Sequence, residues 1–204
     1  GGNDLKSSHT KKVAGVEVQA PYVKYTKFFG YVDESIKPDG KYKDRDTFYL
    51  YVWVPAAMDE IGVSMVSPAK GKPKKKKDFV HPQYKAGMKK DKKAYFDTYI
   101  NFDRMDVIEP SKIKDGGKVL SAMAKNDDSS ELPKNPGGQS YNSLLRVVTD
   151  TSNPKKALVR GLYRISLTSF RSKIEGSYLA TIGSNVPGIK MAASLEDLHK
   201  IVNK

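Results

Sequence analysis

Apolar and polar side chains alternate along much of the chain, and the alternation is clearest in the stretch 95–104. Phe96, Thr98, Ile100 and Phe102 fall on one side of an extended chain. The opposite side carries carboxylates between tyrosines, namely Tyr95, Asp97, Tyr99, Asn101 and Asp103. A period of two predicts a half-buried β-strand, because a helix would scatter these residues around its axis. Such a strand could hold the Asp97 carboxylate rigidly and present it to a cation.

Other segments show related patterns. The run 47–54 is almost continuously apolar and aromatic, which predicts a central strand buried on both faces. Further strands are predicted at 13–18, 22–32, 62–67, 141–148, 157–170 and 176–183. A short helix is predicted at 111–124, and an amphipathic C-terminal helix at 194–204 that begins with Ser194 as its N-cap.

About eight strands with long connecting loops and only short helices predict an all-β fold. The expected architecture is an antiparallel β-sandwich of jelly-roll or Greek-key type. Residues 1–12 are polar and show no period, so we expect a flexible N-terminal tether. A chain of 204 residues is long enough for one substantial domain, and we assign 13–204 to a single β-sandwich. That domain includes a lysine-rich loop at 69–93.

The positive charge of the chain is concentrated in that loop. The formal net charge is +13, and the loop contributes +9 through eleven lysines and two aspartates. It contains no arginine, the residue that most often contacts bases bidentately, so sequence-specific nucleic-acid binding is not expected. A run of like charges usually stays solvated. The alternative is a diffuse contact with a polyanion such as lipopolysaccharide or an acidic polysaccharide, through Lys74, Lys75, Lys76 and Lys77.

Catalytic motifs are absent from the sequence. It has no Gly-rich dinucleotide or phosphate loop, no His-Glu-x-x-His and no Gly-x-Ser-x-Gly. A glycan-cleaving enzyme needs two carboxylates about 5–10 Å apart across a cleft. Asp97 and Asp103 would lie about 20 Å apart along one strand. We therefore expect a protein that is not an enzyme, and the absence of cysteine excludes disulfides and thiolate zinc sites within these residues.

Calcium requires oxygen ligands and no fixed motif. It takes about 6–8 oxygens, several of them from carboxylates. Asp97 on the predicted strand and the pair Asp127 and Asp128 on a polar loop could supply three negative charges. Main-chain carbonyls and water could complete the shell. The alternative is that Asp97 is solvated or paired with a lysine, and that the aspartate pair caps a turn.

Six collinear segments resemble those of the family of the major leptospiral outer-membrane surface lipoprotein. They are 49–55, 60–68, 96–105, 141–144, 158–166 and 176–178, in the same order over most of the chain. The resemblance implies a calcium-binding jelly-roll lipoprotein of the bacterial outer membrane, anchored through a lipidated N-terminal cysteine that lies outside these residues. It also implies a homodimer and an association with extracellular-matrix proteins.

The family's calcium ligands correspond to five positions of this chain: Asp97, Thr98, Asp127, Asp128 and Tyr141. If Asp97 faces outward from the sandwich, Thr98 faces in, so Thr98 and Tyr141 would offer main-chain carbonyl oxygens. The sequence departs from the family pattern in its acidic loop, which has two aspartates followed by serines where the family has a longer aspartate run. Its 69–93 loop is also more basic. We therefore expect a non-enzymatic calcium-binding surface lipoprotein with an adhesive or structural role.

Overall fold

Strands dominate the computed structural model, which describes residues 5–74, 77–171 and 173–204. The strands are β1 (Thr10–Val13), β2 (Val16–Gln19), β3 (Lys24–Val32), β4 (Gly40–Tyr42), β5 (Arg45–Val54), β6 (Glu60–Val66), β7 (Phe79–Val80), β8 (Thr98–Met105), β9 (Val119–Asn126), β10 (Ser143–Val148), β11 (Gly161–Ser169), β12 (Gly176–Ser184) and β13 (Lys190–Ala192). The helices are α1 (Tyr84–Lys90), a 3₁₀ helix (Pro110–Asp115) and α2 (Leu195–Val202).

Two sheets form a sandwich. One sheet has the strand order β10-β6-β12-β3-β7 and the other has β13-β5-β11-β8-β9, with β4 paired to β5. The pairing is antiparallel except between β3 and β7, and strands close in sequence often lie in opposite sheets, as between β5 and β6. The predicted all-β antiparallel sandwich is therefore confirmed.

The main core lies between the two sheets and follows the period of two. Ile100 and Phe102 of β8 project into it, and Phe102 stacks on Tyr163 of β11 with ring centroids 5.4 Å apart. Facing them are apolar side chains of the other sheet, among them Val63 and Ile182. Alternate residues of each strand thus fill the space between the sheets.

The outer faces of both sheets are also partly covered. Over the first sheet, Leu5, α1 and the loop around Leu132 bury a second apolar cluster. Over the second sheet, α2 and the 3₁₀ helix cover a third cluster that includes Trp53 and Leu162. The C-terminal helix is confirmed, and its N-cap Ser194 accepts a hydrogen bond from the Asp197 amide at 3.1 Å.

The helix predicted at 111–124 is largely wrong. The 3₁₀ helix ends where Gly116 and Gly117 adopt φ values of +70° and +66°, conformations that suit glycine. The chain then forms β9, which pairs with β8. Tertiary pairing therefore overrides the local helical tendency. The loop predicted at 69–93 likewise contains β7 and α1.

The N-terminal segment is folded where the structure describes it, in contrast to the predicted tether at 1–12. Leu5 is buried, and the amide of Ser8 donates to the fully buried Glu60 carboxylate at 2.9 Å. The hydroxyls of Ser8 and Tyr22 donate to the same carboxylate. Ser7 and Ser8 are therefore partners of a buried acid, a role that requires no amphipathic period.

Candidate metal centre

Asp97 directly precedes β8, and its carboxylate is buried. The side chain is only 7% exposed, and its Oδ1 has no hydrogen-bond partner among the described residues. Oδ2 lies 3.8 Å from Nε of Arg171, whose side chain is mostly exposed. The Asp97 carbonyl accepts a hydrogen bond from the Phe170 amide at 2.9 Å, which holds the backbone against the end of β11. A buried acid with one unpartnered oxygen is the central feature of this site.

The polar side of β8 is covered, whereas the sequence predicts that it is exposed. Tyr99 is 6% exposed and stacks on Tyr42 of β4, with ring centroids 5.4 Å apart. Asp103 is also buried and pairs with Arg164 at 3.1 Å. The prediction of a half-buried strand is therefore wrong, because the β4–β5 hairpin packs over the outer side of β8.

Burial and neighbouring carboxylates determine the protonation of Asp97. Burial, then Asp128, and to a smaller degree Asp127 raise the pKa of Asp97 to about 6, against the opposing effect of Arg171. The pKa of Asp128 is raised by burial and by Asp127. The folded chain thus places three carboxylates within electrostatic range of one another, although thirty residues separate Asp97 from Asp127.

The acidic turn that carries Asp127 and Asp128 is attached to β10. The side-chain carbonyl of Asn126 accepts from the Leu144 amide at 3.0 Å, and the main-chain carbonyl of Asp127 accepts from the Ser143 hydroxyl at 2.9 Å. Within the turn, the Asp127 carboxylate accepts from the Asp128 amide at 3.0 Å. These bonds hold the start of the turn beside the end of the sandwich where β8 begins.

Thr98 connects Asp97 to the remaining predicted ligand, Tyr141. The Thr98 amide donates to the Tyr141 carbonyl at 3.0 Å, and the Thr98 hydroxyl lies 3.1 Å from the same oxygen. The hydroxyl also lies 2.6 Å from Ser143 Oγ, which in turn bonds to Asp127. The five predicted residues therefore belong to one neighbourhood, in which Tyr141 positions Thr98.

These groups do not converge on one point. Across residues 5–74, 77–171 and 173–204, no group of three or more His, Asp or Glu side chains is arranged so that it could hold a metal ion. The three carboxylates interact electrostatically without sharing a common point. The unpartnered oxygen of Asp97 is the donor best suited to a cation. The sequence interpretation missed Ser143 and Arg171. Ser143 lies inside the 141–144 segment and could have been included, whereas no local pattern marks Arg171.

A comparison with protein families decides the relationship. The family model Lipl32, described as the surface lipoprotein of the Spirochaetales order, matches residues 16–191. The chain belongs to the Lipl32 family. The resemblance seen in the sequence is therefore confirmed, and membership of a surface lipoprotein family supports a cell-surface or membrane-associated location. A search of curated proteins finds no match to the chain.

The lysine run of this Lipl32-family protein lies on the segment between β6 and β8. Lys74 and Lys77 are exposed, whereas Lys75 and Lys76 lie outside the described residues. The Lys74 amide donates to the Asp78 carboxylate at 2.7 Å. In the part of the chain that the structure describes, no helix has the length and apolar character needed to cross a membrane.

Proposed function

We propose that this Lipl32-family protein is a non-enzymatic calcium-binding lipoprotein of the bacterial outer membrane, with an adhesive or structural role. The observation that carries the proposal is the buried Asp97 carboxylate, which has one oxygen without a hydrogen-bond partner and lies in the field of Asp127 and Asp128. Calcium prefers carboxylate and carbonyl oxygens. Binding to extracellular-matrix proteins and dimerisation follow from the family resemblance alone.

Calcium would relieve an electrostatic cost that the protein itself does not relieve. Arg171 and Arg45 lower the pKa of Asp97, but burial and the two aspartates outweigh them. Arg171 lies at 3.8 Å with its side chain 67% exposed, and such exposed pairs contribute little. A divalent ion in the same field would favour the ionised forms of all three aspartates. Because the aspartates do not converge, we expect the acidic turn to close on the ion, so binding would also order the turn.

Titration calorimetry with CaCl₂ tests the proposal. We expect binding heat with the wild type, and a rise in melting temperature because the ion binds the folded state. Asp97→Ala should abolish both effects, and the double variant Asp127→Asn/Asp128→Asn should weaken them. Asp150→Asn, which alters an aspartate on a different turn, is the matched control and should bind as the wild type does.

Absence of heat with the wild type up to millimolar calcium would refute calcium binding. Equal binding by the wild type and Asp97→Ala would show that any calcium site lies elsewhere. A melting temperature that rises with Mg²⁺ and Ca²⁺ alike in all variants would indicate a general ionic effect.

Polyanion binding is a second candidate function, supported by the exposure of the lysine-rich segment. Nine lysines of this segment are exposed on the folded protein, namely Lys70, Lys72, Lys74, Lys77, Lys85, Lys89, Lys90, Lys92 and Lys93. We propose that they contact an acidic polysaccharide or lipopolysaccharide through charge alone, which predicts a steep fall in affinity with salt.

The test is binding to immobilised heparin between low and high salt. Replacing Lys74, Lys75, Lys76 and Lys77 by serine should weaken binding strongly at low salt. The control replaces four exposed lysines elsewhere by serine, at 112, 155, 190 and 204, with the same change in net charge. Equal losses in the two variants, or affinity independent of salt, would exclude a specific role for the lysine-rich segment.

A further inference from the structure

A cavity of about 390 Å³ lies on the outer face of the second sheet, between the β4–β5 hairpin and β9. Its floor comes from the polar side of β8 and β11, where Asn101 pairs in register with Ser166 and Asp103 with Arg164. Its walls include Tyr42, Tyr49 and residues 122–125. The cavity has the volume expected of a small-molecule site.

Two buried donors at this cavity have no partner in the described part of the chain. Asn101 is 8% exposed, and its Nδ2 makes no hydrogen bond. Arg164 donates through Nη2 to Asp103 at 3.1 Å, but its Nε is buried and unpartnered. Buried polar groups are nearly always hydrogen-bonded, since an unmade bond costs more than an average one contributes. Two such donors beside one cavity point to a ligand that supplies acceptor atoms.

The lining carries a net positive charge. Lys41 pairs with Asp46 and Arg164 pairs with Asp103, which leaves Lys125 and Lys156 as the cations without a carboxylate partner among the described residues. The Lys156 ammonium donates to main-chain carbonyls of residues 122 and 123, which leave its charge uncompensated. A ligand with a negative charge is therefore favoured over a neutral one.

The remaining lining combines aromatic rings with hydroxyl groups. Tyr42 and Tyr49 present apolar ring surface, and Thr47 and Ser166 supply hydroxyls. The Arg164 guanidinium stacks on the Tyr49 ring at 4.5 Å, so the cationic and aromatic parts of the cavity adjoin. A flat molecule with an apolar face, several hydroxyls and an acidic group matches all three properties of the lining.

We propose that this cavity binds a small acidic sugar, with Asn101 bonding to a ring hydroxyl or ring oxygen and the lysines and Arg164 facing the acidic group. The site is distinct from the acidic site at Asp97. Asn101 lies four residues along β8 from Asp97, about 13 Å at the rise of a strand, and Tyr99 stacked on Tyr42 lies between them in the chain. Sugar binding is therefore independent of calcium.

Titration of the full chain with methyl β-D-glucuronide in EDTA tests the proposal without any contribution from calcium. We expect saturable binding, and at least tenfold weaker binding of the neutral methyl β-D-glucoside. Sodium acetate and sodium sulfate, which carry charge without a sugar ring, should also bind at least tenfold more weakly. Equal binding of the glucoside would overturn the role of charge, and equal binding of acetate or sulfate would overturn the sugar assignment.

Two variants identify the site. Asn101→Leu removes the unpartnered amide at similar size, and should weaken glucuronide binding at least tenfold while the melting temperature stays the same or rises. Lys125→Gln, an exposed change that leaves the core intact, should weaken binding severalfold, whereas Lys134→Gln outside the cavity should not. Unchanged affinity in Asn101→Leu would refute the site. A clear fall in the melting temperature of this variant would show that the amide has a structural role and would also refute the site.

Discussion

Replacing Asp97 by asparagine tests the electrostatics of the acidic site directly. Burial, Asp128 and Asp127 raise the pKa of Asp97 from 3.8 to about 6. Because the unfolded chain lacks these effects, the folded protein holds the Asp97 proton more tightly. The stability that this group contributes is fully present below about pH 4 and is lost as the pH rises through about 6. Raising the pKa from 3.8 to about 6 corresponds to about 3 kcal/mol at neutral pH, at about 1.4 kcal/mol for a tenfold change in proton affinity.

Asn at this position carries no charge, so Asp97→Asn should avoid that loss. In EDTA at pH 7.5 we expect the free energy of unfolding of the variant to be up to about 3 kcal/mol higher than that of the wild type. The pKa of about 6 already includes the opposing charge of Arg171, so the loss of this ion pair needs no separate allowance. For a protein of this size a gain of about 3 kcal/mol corresponds to a rise in melting temperature of about 6–12 °C. Urea denaturation and thermal melting at pH 7.5 and pH 4 measure the difference.

The same experiment has two internal checks. Saturating calcium should reverse the order at pH 7.5, because only the wild type gains stability from the ion. Asp103→Asn, on β8 itself, is the matched control, and it should lose stability at pH 7.5 because its carboxylate pairs with Arg164 at 3.1 Å. Equal stability of Asp97→Asn and the wild type in EDTA at pH 7.5, or a gap that persists at pH 4, would refute the reasoning.

Three further substitutions test the packing of the sandwich, each by urea denaturation. Glu60→Ala should cost about 2–4 kcal/mol because it leaves the buried hydroxyls of Ser7 and Tyr22 unpaired, and removing residues 1–9 should cost that variant less than it costs the wild type. Gly87→Ala should cost more than about 1 kcal/mol despite the better helix propensity of alanine, because its Cβ would lie 2.1 Å from the Tyr31 ring. Phe102→Ala should cost about 3–5 kcal/mol, since the side chain is fully buried between the sheets.

A specific outcome would contradict each of these three stability predictions. Additive losses from Glu60→Ala and from removal of residues 1–9 would show that Glu60 does not hold the N-terminal segment. A more stable Gly87→Ala would mean that Tyr31 can move aside at little cost, and Ala86→Gly on the exposed side of α1 measures the propensity effect alone. A loss below about 1 kcal/mol for Phe102→Ala would contradict the tight packing between β8 and β11.

Local pattern was sufficient for the class of fold and for several elements. The alternation of Phe96, Ile100 and Phe102 correctly placed these side chains in the core, and the run 47–54 lies within β5. Ser194 correctly marked the start of α2. These predictions succeeded because side-chain direction in a strand and capping at a helix end depend on residues only a few positions apart. The family relationship likewise depended on the order of short segments along the chain.

Long-range contacts decided the rest. The polar side of β8 is buried because a hairpin from elsewhere in the chain covers it, and 119–126 is a strand because β8 supplies a pairing partner. The bond from Ser8 to Glu60 joins residues 52 positions apart, and the cluster that buries Leu5 also includes Leu132 and Leu179. The Asp97 carboxylate is unpartnered, and Asp127 and Asp128 are close to it, only because β8 and the end of β9 meet in the folded sheet. The sequence determines which face a side chain takes along its own strand, and only the tertiary structure determines what covers that face.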